Sequence, residues 1–147
     1  MSADSPDRPS PRRSDERSRP STAQTVLVVD DDETIRVLAR RLLEGAGFGV
    51  TEAESGRDAL VALREGPLPS FLVTDLKMAD GSGGWLVSQV AYEFPTLLAR
   101  TVVITGDASG APAAHVAARW RCPVVAKPLT GPQLVGALRQ VEGTTKR

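Results

Sequence analysis

Phe71-Leu72-Val73-Thr74-Asp75-Leu76-Lys77-Met78 is an apolar run that ends on a carboxylate, and a loop rich in Gly and Asp follows it. A short apolar run bounded by turn signals reads as a strand buried on both faces, the kind found in parallel sheets with helices on either side. Ligands of such sheets bind just beyond the carboxyl ends of the strands. Asp75 therefore stands where a protein of this kind would do its chemistry. Taken alone, Asp75 is more simply a turn cap; the rest of the chain decides the matter.

Working outward, the same alternation recurs. Thr25-Val26-Leu27-Val28-Val29 is a second buried strand, closed by Asp30-Asp31-Asp32. The spacing predicts a helix over about 33–44, with Ile35, Leu38, Leu42 and Leu43 on its apolar stripe and Gly45 and Gly47 to stop it. Residues 48–53 form a short strand, and Ser55-Gly56-Arg57-Asp58 resembles a capping box opening a helix to about Arg64. Past Gly66-Pro67-Leu68-Pro69 and the Asp75 strand, a helix is expected over about 84–94 and a strand over 100–105, ending in Gly106-Asp107. A weakly marked helix over about 112–120 precedes a fifth strand, 123–126, which ends in Lys127-Pro128. The last helix is capped by Thr130 and runs to about Val141. Five strands alternating with five helices specify one α/β domain, a doubly wound five-stranded parallel sheet with helices on both faces.

Composition narrows the class. The 147 residues carry a formal net charge of zero, which leaves no electrostatic footprint for nucleic acid or an anionic membrane. The hydrophobic fraction is 41% and the aromatic fraction 4%, so the core must be built from Val, Leu, Ala and Ile. Cys122 is the one cysteine, which excludes an internal disulfide and a cysteine-rich zinc site. No apolar run is long enough to span a bilayer, and Arg12-Arg13 is followed by Ser14-Asp15-Glu16 rather than by a secretory apolar segment. A soluble cytoplasmic protein is expected. Residues 1–22 are Ser, Pro, Arg and Asp with little to bury, and read as a disordered tail; 23–143 make the domain, and 144–147 a short C-terminal tail. Nothing substantial follows the last helix, so no output domain is expected.

Right-handed crossovers bring the carboxyl ends of parallel strands to one edge of the sheet. Asp30-Asp31, Asp75, Thr105 and Lys127 all fall at such ends. Three converging carboxylates are tolerable if a hard cation sits among them, and carboxylates, a backbone carbonyl and waters are the ligands Mg²⁺ prefers. Thr105 supplies a hydroxyl and Lys127 a positive point charge. Acids for a metal, a free carboxylate, a hydroxyl and an ammonium make a phosphoryl-transfer site, with an Asp able to act as nucleophile. Singly, each has a simpler reading: Asp30 to Asp32 as acids opening a helix, Thr105 as a loop cap, Lys127 as a solvated lysine. Their joint placement at strand ends is what favours the site.

The residues Val26-Leu27-Val28-Val29-Asp30-Asp31, Asp75-Leu76-Lys77-Met78, Ile104-Thr105-Gly106 and Lys127-Pro128, in that order and spacing, resemble a two-component response-regulator receiver domain. The resemblance covers about 25–141. It implies a flavodoxin-like (βα)5 fold. It implies Asp75 as the phosphoacceptor, Asp30, Asp31, Asp75 and the backbone carbonyl of Lys77 around Mg²⁺, Thr105 and Lys127 on phosphoryl oxygens, and a cis Lys127-Pro128 bond. Among the acids, Asp31 would ligate directly and Asp30 through water. It further implies a histidine kinase or phosphotransfer protein as donor, output by protein contact through the fourth helix, fifth strand and fifth helix, and no enzymatic turnover beyond self-phosphorylation and dephosphorylation. The chain departs from the family pattern in two places. Ala79 stands where Pro is common, and Val124 stands where an aromatic usually swings inward with the threonine. Lys77 and Asp107 occupy positions that tune phosphate lifetime in this family.

Two other readings compete. Asp30-Asp31-Asp32-Glu33-Thr34 also fits the D-x-D-x-T nucleophile motif of haloacid-dehalogenase-type phosphatases, with Asp30 attacking. That family requires a further acidic pair after the Lys, and only Glu142 follows Lys127. The other is a pseudo-receiver that binds partners without phosphorylation. His115, Trp85, Trp120 and Cys122 are read as surface or packing residues.

Overall fold

The computed structural model describes residues 23–78 and 82–145. The expected disordered tail, 1–22, lies outside them, as do 79–81 and 146–147. The apolar runs pair as five parallel strands: β1 (Thr25–Val29), β2 (Gly49–Ala53), β3 (Phe71–Asp75), β4 (Thr101–Thr105) and β5 (Val124–Ala126). Their order is β2-β1-β3-β4-β5. The main helices are α1 (Glu33–Gly45), α2 (Gly56–Glu65), α3 (Gly83–Glu93), α4 (Ala111–Trp120) and α5 (Gly131–Thr145). This is the expected flavodoxin-like (βα)5 sheet, and its order reverses between β1 and β3, where such folds open a crevice.

Strand side chains alternate faces. Val26, Val28, Phe71, Val73, Val102, Ile104 and Val125 pack with Leu43 of α1 and Leu134 and Leu138 of α5. The alternate set, Leu27, Val29 and Leu72, packs on Leu60, Leu63, Leu86 and Val90 of α2 and α3. Val103 packs with Val87, Ala113, Val116 and Cys122 toward α4. Phe71 and Phe48 meet edge to face at 5.8 Å, an arrangement the ring quadrupoles favour. Burial pushes the Cys122 thiol up to about 11, so it is packing material rather than a nucleophile, as expected.

Local chemistry sets the element ends, and several differ from expectation. Gly45 is the last helical residue of α1; the turn is made by Gly47 at φ 99°, where Phe48 N–H bonds the Leu43 carbonyl. Phe48 is thereby drawn into the core, and β2 starts at Gly49. Pro95 opens an extra helical turn, Pro95–Leu98, in a stretch that reads as plain connection; Leu97 is buried and its carbonyl accepts the Thr101 hydroxyl. The last helix continues to Thr145 instead of ending near Val141. Ser55 caps α2 as expected, accepting the Asp58 amide at 3.0 Å.

Leu43 is fully buried between α1 and the sheet. Leu43→Ala is expected to cost about 2–5 kcal/mol, read as a lowered urea midpoint with unchanged m-value.

Candidate functional site

β1 and β3 are neighbours in parallel register, Val29 opposite Thr74, so the next residues, Asp30 and Asp75, leave the sheet side by side. Alternation carries both on the same face as Val28 and Val73, the face covered by α1 and α5. Lys127, two residues past Val125, shares that face, and its amide extends the ladder to the Thr105 carbonyl at 2.8 Å. The Lys127 ammonium lies 3.0 Å from Asp30 Oδ2 and 3.5 Å from Asp75 Oδ1. The Lys127–Pro128 peptide is cis, as the resemblance implies.

Asp30 is wholly buried, and each of its polar atoms has a partner. Its amide donates to the Ala53 carbonyl at 3.2 Å, and its carbonyl accepts from Arg36 Nη1 at 2.8 Å. Oδ1 accepts the Asp32 amide at 2.9 Å, and Oδ2 accepts from Lys127. Asp31 stands exposed at the rim, and Asp32 caps α1 through the Thr34 amide. One carboxylate oxygen from each of Asp30, Asp31 and Asp75 lies within 4.8 Å of the others. A hard divalent cation fits this set of donors: they are all oxygens, they converge, and two of the three residues are buried.

The electrostatics point the same way. Burial, then the Asp30 charge, raises the Asp75 carboxyl pKa; Lys127 and the backbone amides of Lys77 and Leu76 only partly offset this. For Lys127, burial works to lower the pKa, but the hydrogen bond to Asp30 and the charges of Asp75 and Asp30 outweigh it, and the net direction is up. The ammonium is thus firmly charged, while the acids around it remain under-neutralised.

Thr105 ends β4 one residue past Ile104, the partner of Asp75. Its alternation places it on the opposite face from Asp75, and its hydroxyl oxygen accepts the Asp107 amide at 3.1 Å. It is therefore adjacent to the acids by strand order but is not bonded to them. Lys77 is exposed just past β3. Val124 is partly buried toward α4, and His115 is exposed on α4. Trp85 and Trp120 are partly buried against the core, in keeping with a packing role.

Sequence reasoning missed Gly83. The Gly-rich segment reads as a mobile loop with its helix starting at Gly84, but Gly83 is the first residue of α3, with Ser82 as its cap. Gly83 N–H bonds the Leu76 carbonyl at 3.1 Å, and a Cβ on Gly83 would overlap the Asp75 carbonyl oxygen. That carbonyl also accepts the Thr74 hydroxyl at 3.0 Å. The backbone of Asp75 is thus held between its own strand and the start of α3. A Gly-Gly pair after a capping Ser was the available signal.

Residues 26–139 match the family model described as the response regulator receiver domain. The transcriptional regulator NtrC of Salmonella typhimurium is 34% identical over 90 residues, which are 61% of this chain and 19% of NtrC. The acid tolerance regulatory protein ActR of Rhizobium meliloti is 29% identical over 120 residues, 82% of this chain and 60% of ActR. The chain thus spans about a fifth of NtrC, at 19%, and 60% of ActR. The crystal structure of a response regulator receiver protein from Sinorhizobium medicae superposes with a TM-score of 0.74 at 26% identity, covering 85% of this chain and 98% of that one.

Two outcomes are expected. Gly83→Ala must displace either α3 or the Asp75 backbone, and should cost about 1–3 kcal/mol in denaturant unfolding. For Asp75, a raised folded-state pKa means that stability is fully present below the ordinary Asp range and lost as pH rises through the folded value. At neutral pH the ionised side chain burdens the fold, so Asp75→Asn should raise Tm by a few degrees in metal-free buffer.

Proposed function

The chain belongs to the response regulator receiver domain family, and on that premise we propose that Asp75 receives a phosphoryl group from a phosphohistidine of a histidine kinase or phosphotransfer protein. An Asp75 carboxylate oxygen attacks phosphorus, the phosphorus–nitrogen bond breaks, and its electron pair leaves with the imidazole, giving an acyl phosphate on Asp75. Mg²⁺, held by Asp30, Asp31, Asp75 and the Lys77 carbonyl, would neutralise charge on the transferring group. Lys127 places its ammonium on one phosphoryl oxygen, and the Thr105 hydroxyl reaches another after leaving its contact with the Asp107 amide.

The observation that carries this reading is the convergence of Asp30, Asp31 and Asp75, with Lys127 bridging two of them. The partner roles also differ in a way that suits them. Both carboxylate oxygens of Asp30 already accept a hydrogen bond, which favours contact with the metal through water and leaves Asp31 as the direct ligand. Asp30 is also wholly buried, which counts against it as the attacking group that the phosphatase reading needs. Output would pass through protein contact at the face of α4, β5 and α5. A groove of about 520 Å³ along β5 and α5 is lined by Ala108, Val124, Ala126, Pro132, Gly136 and Gln140, among others. Val124 leaves this face without the aromatic that would report on Thr105, so the switch here would act through the loop after β4.

Incubation with acetyl phosphate and Mg²⁺ should add one phosphoryl group by intact mass, and none without metal or in Asp75→Asn. A gain that persists in Asp75→Asn would assign the acceptor elsewhere. Absence of both phosphorylation and beryllium fluoride binding would favour the pseudo-receiver.

A further inference from the structure

Arg36 lies on α1, outside the acid cluster, yet its guanidinium links the cluster to the far edge of the sheet. Nη1 donates to the Asp30 carbonyl at 2.8 Å, and Nε donates to Glu52 Oε1, on β2, at 3.0 Å. The other oxygen of Glu52 accepts from Arg40 Nε at 2.7 Å, and Arg40 is in turn held by Glu44 at 2.8 Å. The Arg36 side chain is 11% exposed and that of Glu52 25%, so the guanidinium is set against the fold while the carboxylate that braces it meets solvent.

The geometry has a direct consequence. β2 and β3 lie on opposite sides of β1. The carboxylate of Asp30 is engaged by Lys127 at 3.0 Å beside Asp75, while its carbonyl is engaged from the β2 side. The peptide joining Asp30 to Asp31 is planar, so fixing the direction of that carbonyl fixes the plane on which Asp31 begins. Asp31 is exposed at the rim, and the plane of its peptide limits the directions its carboxylate can take. A guanidinium presents its donors in a fixed planar fork, whereas the donors of an ammonium rotate.

We propose that Arg36 is a positioning residue for cation binding: braced on Glu52, it locks the Asp30–Asp31 peptide and so aims the Asp31 carboxylate into the acid cluster. This rests on the Mg²⁺ site proposed above. Arg36 touches neither metal nor phosphate; it acts through Asp30.

The test is Mg²⁺ titration calorimetry on the full chain and its variants, with circular dichroism to verify folding. Arg36→Met keeps the aliphatic stem and removes the fork. It should weaken Mg²⁺ binding about tenfold, the scale of losing a charge-assisted hydrogen bond. Acetyl phosphate kinetics should show the same rise in half-saturating Mg²⁺, with the rate at saturating Mg²⁺ close to wild type. Arg40→Met removes the other guanidinium on Glu52 but no contact to Asp30, and should leave Mg²⁺ affinity within about twofold of wild type. Arg36→Lys keeps the charge without the fork and should recover only part of the loss; it also serves as the test variant if Arg36→Met does not fold. Wild-type affinity in Arg36→Met and Arg36→Lys, or an equal loss in Arg40→Met, would overturn the inference while leaving the Mg²⁺ site standing. A wild-type chain that binds no Mg²⁺ would overturn the site itself, and this inference with it.

Discussion

Two carboxylates are buried at adjacent strand ends, and one ammonium lies between them. Asp30 and Asp75 leave the sheet side by side, and Lys127 reaches both from β5, two strands away from Asp75. Removing like charges from water is costly unless they are paired, and here the pairing is incomplete. The raised pKa of Asp75 is the direct sign of that shortfall. Everything else near the site either holds these groups in place against their repulsion or leaves room for further positive charge.

The scaffold does the holding through backbone groups more than through side chains. Asp30 is fixed by the Ala53 carbonyl, the Asp32 amide and Arg36, and Asp75 by Thr74, the amide of Lys77 and the close approach of Gly83. Such constraints come from the most buried part of the fold, where β1 and β3 are covered on both faces. The strand-end edge is tightly packed at β1 and β3. Thr105 is different: its hydroxyl is engaged only within its own turn, by the Asp107 amide. Thr105 is buried, and the turn that engages its hydroxyl leads directly to α4.

Much of this was legible in the residues. Four strands were readable because each is a short apolar run closed by a polar side chain, the half-polar β2 was readable from its place between two helices, and parallel alternation with helices leaves few topologies. Strand-end chemistry then marked Asp30, Asp31, Asp75, Thr105 and Lys127. The errors lie where local signals compete. Gly45 and Gly84 sit at helix ends whose limits depend on hydrogen bonds made by the next few residues. Pro95 opens a turn because Leu97 finds a buried place, which depends on neighbours distant in sequence.

By itself the sequence determined the fold class and the set of groups at the strand ends, because periodicity and residue type are local properties. Tertiary structure alone decided how those groups meet. Lys127 approaches Asp30 from 97 positions further along the chain; Gly83 owes its identity to a carbonyl eight residues earlier; Arg36 gains its role from Glu52 on the neighbouring strand. Thr105 alternates away from the acids it follows in strand order. Each of these is a matter of distance and direction between separate elements, and those are set only when the sheet twists, the helices pack and the ladders fix their register.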